Sequence, residues 1–146
     1  MTKTKEMLES RKTQHREFVQ SVITRMNTNS FQIKGMMVTI LAAFLAIYAS
    51  NKNILFIVIP IPIVTLFWLF DAYYIQLERK FRGIYKDICD LTPEKDIKTK
   101  MVFEMNPKLY TSGQYNYWNV LFKSSVTPFY LIINITLVIC YFILKT

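Results

Sequence analysis

The residues able to carry acid–base, nucleophilic or metal chemistry are few and scattered. The 146-residue chain holds one histidine, His15, two cysteines, Cys89 and Cys140, and ten acidic residues. A zinc site needs three or four His, Cys or carboxylate ligands converging from short spacings, and a lone histidine with two distant cysteines does not supply them. The glycines Gly35, Gly83 and Gly113 stand singly, so no glycine-rich loop is available to cradle phosphates. A Ser-His-Asp arrangement would have to rest on His15 in a polar N-terminal stretch. The pattern therefore predicts no catalytic residue, no metal site, no cofactor and no enzyme. Cys89 lies in a charged stretch and Cys140 in an apolar one, which sets no disulfide framework and suits a reducing compartment.

What remains as candidate chemistry sits at the ends of apolar runs. Asp71 follows the run Ile54–Phe70 directly and stands among Trp68, Tyr73 and Tyr74. An acid at such a depth is a site candidate by default, with Arg79, Lys80 or Arg82 as expected partners. The plainer reading is a boundary carboxylate hydrated among headgroups. Arg79, Arg82 and Lys86, with the Lys95–Lys100 cluster beyond them, make a basic face that could take an anionic ligand, a partner protein or lipid headgroups. Asn134 lies in the middle of a third apolar run, where an amide draws helices together by roughly 0.6–2 kcal/mol.

These residues need elements to hold them, and the elements are apolar. Three uncharged stretches, Gly35–Ser50, Ile54–Phe70 and Val126–Leu144, exceed what one small soluble core could use. Each approaches the ~20 residues that cross a hydrocarbon layer about 30 Å thick. Apolar residues make up 52% of the chain, and the mean hydropathy of +0.22 leaves room for sizeable polar segments as well. The expected fold is an all-α membrane protein: a transmembrane hairpin at 31–77, a C-terminal span at 126–146, an N-terminal cytoplasmic amphipathic helix over 1–30 and a helical cytoplasmic segment at 78–125.

The net charge of +8 could suggest nucleic acid, but the basic residues flank the spans, which points instead to anionic lipid. Seven Lys or Arg precede the first span and nine lie between the second and third, while Lys52 and Lys145 stand alone at the other ends. The positive-inside rule then puts the N-terminus and the 78–125 segment in the cytoplasm, and the Asn51–Asn53 turn and C-terminus outside. The first apolar run starts too late, and ends without a small-residue cleavage pattern, for a removed leader.

Local signals refine this picture. Phe18, Val19, Val22, Ile23 and Met26 recur at helical spacing, and Asn27-Thr28-Asn29-Ser30 reads as a break with a cap for the next helix. Gly35, Thr39, Ala42 or Ala43, Ala46, and Ala49 or Ser50 form a small-residue stripe suited to close helix association. That stripe serves either packing against the second span or a homo-oligomer. Pro60 and Pro62 each remove a backbone donor, predicting a kink or opened helix in mid-span that could gate a pore or be packed and inert. The second span is expected to continue to about Leu91, and Thr92-Pro93-Glu94 to cap a further helix. Tyr110, Tyr115, Tyr117, Trp118 and Phe122 read as interfacial.

From Phe18 through Asp87 the stretches FVQSVITRMNTNSFQIKG and LFWLFDAYYIQLERKFRGIY, with a small-residue span between, resemble a group of small, uncharacterised bacterial multi-pass membrane proteins. The shared pattern is Arg-Met, Asn-Ser-Phe and Lys-Gly in the first stretch and Phe-Trp, Asp, Tyr-Tyr, Glu-Arg and Phe-Arg in the second. The chain departs by an extra residue near Thr28–Ser30 and a shorter first span. The resemblance covers about half the chain. It implies an inner-membrane effector of an antiphage or conflict system, oligomeric and pore-forming or membrane-disrupting, paired with a cytoplasmic sensor protein or signalling ligand. The alternative is an anchor that recruits a cytoplasmic partner and permeabilises nothing.

Overall fold

The computed structural model describes residues 2–99, 103–123 and 125–145, with side chains from Lys5 onward. The described residues are almost entirely helical. Helix α1 runs from Thr2 to Asn51, α2 from Leu55 to Val58, α3 from Pro60 to Ile88, α4 from Tyr117 to Lys123 and α5 from Thr127 to Lys145. Three helical stretches, Lys5–Asn51, Leu55–Ile88 and Thr127–Lys145, are long and apolar enough to cross a membrane.

At 1.5 Å per residue, α1 is about 75 Å long, far more than a bilayer needs. The expected break at Asn27–Ser30 does not occur, and the separate N-terminal helix is the first half of this single rod. Asn, Thr and Ser each cost only a few tenths of a kcal/mol in a helix interior. An inward stripe offsets that cost: His15, Val19, Ile23, Ser30 and Met37 are all buried, at spacings that stay in helical register through the polar stretch. Ser30 therefore serves a tertiary contact instead of a cap.

The molecule has two cores. In the apolar bundle, Met37 of α1, Val64 of α3 and Val126, Tyr130 and Leu137 at the start and middle of α5 pack together, with Leu41, Ile61, Phe67 and Ile75 against them. Around this core the surface stays apolar: Phe31, Met36, Leu66, Phe70, Ile132, Ile135, Phe142 and Ile143 are exposed. In the polar lobe, Val19, Ile23, Ile84 and Tyr110 form the second core, tying the first half of α1 to the end of α3 and to the loop before α4. Ala72 with Val120 and Leu121 joins the two by seating α4 on α3.

Pro60 and Pro62 open α3, and with α2 directly before them they fall near the middle of the apolar run Ile54–Phe70. The backbone keeps helical dihedrals through Ile59 (φ −57°, ψ −39°), and only the proline-deleted hydrogen bonds separate α2 from α3. The long helix ends at Ile88, three residues short of expectation, where Asp90 takes a left-handed φ of 56°. Residues 94–99 and 103–115, within the 78–125 segment expected to be helical, are instead irregular, with short 3-10 turns at Glu94–Asp96, Pro107–Leu109 and Gly113–Tyr115. Thr92 does not cap; its hydroxyl donates to Asp87 at 2.6 Å. The turn signals at Asn106-Pro107 and Gly113 (φ 62°) hold, Asn106 accepting from the Lys108 amide at 3.1 Å.

Candidate functional site

The bundle's buried charge centres on Asp71, which is fully buried. Its position on the inward stripe of α3 (Pro60, Val64, Asp71, Ala72) aims the carboxylate at α1 and α5. Lys34 of α1 meets Oδ2 at 2.7 Å, the Tyr130 hydroxyl of α5 donates to the same oxygen at 3.1 Å, and the Ser30 hydroxyl donates to Oδ1. Lys34 Nζ also donates to Ser30 Oγ at 2.8 Å, which closes a ring of Ser30, Lys34 and Asp71. One carboxylate thus ties together three helices at the level where the apolar surface gives way to the polar lobe.

The expected partners of Asp71, namely Arg79, Lys80 and Arg82, are not the ones it finds. They follow it on the same helix by two to three turns, about 12–16 Å along the axis. Antiparallel α1 brings Lys34 alongside at the same height. The carboxylate is also not a hydrated boundary group. A buried pair of this kind costs several kcal/mol in desolvation per ion, which good geometry and further hydrogen bonds offset. Its chemistry is that of a charge-paired latch between helices.

A second buried carboxylate, Asp87, organises the lobe. Oδ2 accepts the backbone N–H groups of Lys98 at 2.9 Å and Thr99 at 3.0 Å, and the Tyr110 hydroxyl at 2.5 Å, while Oδ1 accepts from Thr92. Burial pushes its pKa up, but these donors outweigh that and hold the carboxyl below its ordinary range. The Tyr110 hydroxyl is pushed up, by burial first and then by this carboxylate. Lys98 lies over the Tyr110 ring, 5.3 Å from its centroid. Gly83 is where the ring lands: a Cβ there would stand 2.7 Å from Tyr110 Cδ1 and Cε1.

Of the basic face, Arg82 pairs with Glu78 at 2.6 Å, Arg79 donates to the Gln114 carbonyl at 3.4 Å, and Lys86 is exposed; Lys100 lies outside the described residues. Gln76 fastens the same loop through the Tyr115 carbonyl at 2.8 Å. Asn134 is not brought to Asp71; its Oδ1 is buried without a hydrogen-bond partner among the described residues. Ala42 and Ala46, with Gly35, Thr39 and Ser50, face outward, away from the second span. Nothing lies within 4 Å of a Cβ built at Gly35.

Sequence reasoning missed Ser30, Lys34 and Tyr130 as partners of Asp71, and Asp87 altogether. The register of α1 could have found the first two, since Ser30 and Lys34 continue the stripe from Val19 and Ile23 to Met37. No group of three or more His, Cys, Asp or Glu side chains suited to a metal occurs among the described residues. Comparison of the chain with models of known protein families, with curated proteins and with solved structures finds no match in any of the three.

Proposed function

We propose that the chain is a multi-pass protein of the bacterial inner membrane that self-associates through the small-residue face of α1 and acts as an effector on the bilayer it spans. The carrying observation is that Ala42 and Ala46 lie on the outside of the bundle. Lipid gives little hydrophobic drive between helices, so a strip of small side chains left unpacked within one subunit suits close backbone approach by another. The interior of the single bundle is filled by Met37, Val64, Tyr130 and Leu137, so a path for ions would run between chains. The flanking Lys and Arg favour a cytoplasmic lobe, where a sensor protein or signalling ligand would act. The antiphage setting rests on the sequence resemblance alone.

The test is disulfide trapping in native membranes on a Cys89→Ser/Cys140→Ser background. Cysteine at Ala42 or Ala46 is expected to give a dimer band, and cysteine at exposed Ile132 much less. A potential-sensitive dye then reads whether the trapped or activated form depolarises cells. A monomer by mass in detergent, with no trapping at either alanine, removes the oligomeric effector. A second reading, an anchor recruiting a cytoplasmic partner, is favoured by one feature: a cavity of about 640 Å³ on the lobe, between Arg16, Gln20, Thr24 and Asn29 of α1 and Tyr85 of α3. That reading predicts no depolarisation under any condition.

A further inference from the structure

A second cavity, of about 370 Å³, opens where the three long helices meet the lobe. Its volume falls within the ~300–1,000 Å³ typical of small-molecule sites. α1 contributes Asn27, Ser30 and Lys34, α3 contributes Arg79, Arg82 and the carboxylate of Glu78, and Ser125 closes it just before α5. Its two walls differ in kind, because Ile75 and Val126 line it on the apolar side.

The cations in this lining are not equally committed. Lys34 is held by Asp71 at 2.7 Å, and Arg82 by a single oxygen of Glu78, Oε1, at 2.6 and 2.8 Å. Arg79 has no carboxylate within salt-bridge reach among the described residues, and its bond to the Gln114 carbonyl is a long one at 3.4 Å. A guanidinium offers five donors in a fork that matches two oxygens of a phosphate. We infer that this cavity seats the phosphate of an anionic phospholipid headgroup, with Arg79 as its principal ligand and Asn27 and Ser125 as neutral donors. A lipid, in preference to free phosphate, is indicated by the Ile75–Val126 wall and by the exposed apolar surface of the bundle, onto which acyl chains can continue. Basic pockets between spans at the cytoplasmic side are where such headgroups bind. The inference rests on the membrane reading above and is independent of self-association.

Full-length protein in a neutral detergent, mixed with equal phosphatidylglycerol and phosphatidylcholine and weighed by native mass spectrometry, tests it. The wild type is expected to retain phosphatidylglycerol selectively. Arg79→Gln should lower that retention about five-fold, Arg79→Lys should restore part of it, and Lys95→Gln, an exposed change outside the cavity, should leave it unaltered. Equal loss from Lys95→Gln would mean a diffuse charge effect and overturn the site, as would unchanged retention in Arg79→Gln of unaltered mass and elution. Displacement of the lipid by millimolar inorganic phosphate would overturn the lipid assignment. A protein recovered without detergent in the aqueous fraction would instead sink the membrane reading itself.

Discussion

Helix α3 carries two buried carboxylates, Asp71 and Asp87, and they are satisfied by opposite means. Asp71 meets a cation and two hydroxyls drawn from two other long helices. Asp87 meets no cation among the described residues; its donors there are two backbone amides and two hydroxyls, all from residues 92–110 that follow it in the chain. The first arrangement fixes how helices stand against one another. The second folds a loop that has little regular structure of its own. In an apolar surround a bare charge is too costly to leave, so Asp71 needs a counter-ion. Beside water, a set of oriented donors is enough for Asp87.

The largest expected effect follows from breaking the first arrangement on one side only. Lys34→Met leaves the Asp71 carboxylate buried without its cation and is expected to cost about 3–5 kcal/mol, read by thermal or SDS unfolding in micelles. The double change Lys34→Met/Asp71→Leu should recover most of the loss, because an apolar pair of similar volume is often as stable as a buried ion pair. A double variant no better than the single one would show that Ser30 and Tyr130, not charge, hold the helices. The contrast with Asp87 would then weaken.

In the lobe the sharpest single change is Gly83→Ala. In an ordinary helix interior this replacement gains about 0.5–1 kcal/mol. Here the added methyl meets the Tyr110 ring at 2.7 Å, and a loss of about 1–3 kcal/mol is expected, with faster proteolysis of the 92–116 segment and intact bundle unfolding. Relief of the clash should take Tyr110→Leu and Tyr115→Phe together, because the Tyr115 hydroxyl also stands 2.8 Å from the added methyl. Asp87→Asn is expected to cost a similar amount, about 1–3 kcal/mol, since one oxygen that accepted hydrogen bonds becomes a donor facing donors. Because the Asp87 pKa is depressed on folding, its contribution is complete above the unfolded value of 3.8 and is lost as pH falls through the folded value. Asp87→Asn should remove that acid dependence without touching the bundle.

The two carboxylates also differ in how readable they were. Three helices long and apolar enough to cross a membrane, their order and the hairpin between the first two follow from uncharged run lengths alone. Asp71 stood out as an acid against that apolar background. Its partner did not, because Lys34 looked like a flank residue free to snorkel and Ser30 like a cap, and only the uninterrupted rod puts both on the inward stripe. Asp87 was invisible for another reason. Its donors come from a segment without periodicity, where which amide faces which oxygen depends on positive-φ turns at Asp90 and Phe103 that no pattern of side chains announces. Pro60 and Pro62, near the middle of the second apolar run, leave the dihedrals at Ile59 helical and interrupt only the hydrogen bonds between α2 and α3.

The smallest effect expected separates the lobe from the bundle by pH alone. His15 is buried on α1, its Nδ1 accepts the Phe103 amide at 3.1 Å, and its ring lies 5.4 Å from that of Phe103. An accepting Nδ1 requires the neutral ring, and burial holds the pKa below 6.5, with the Glu104 backbone opposing in part. A histidine with a depressed folded pKa contributes stability that is complete above the unfolded value and is lost as pH falls below it. From pH 6.5 toward the folded pKa the lobe should therefore weaken by at most about 1.4 kcal/mol per pH unit. Protonation would set an N–H against the Phe103 N–H and lift the loop from α1. Amide exchange at Phe103 should accelerate over this window while exchange within α5 stays constant. His15→Gln, which cannot take up the proton, should flatten the profile; equal acceleration in α5 would mean that lobe and bundle respond as one body.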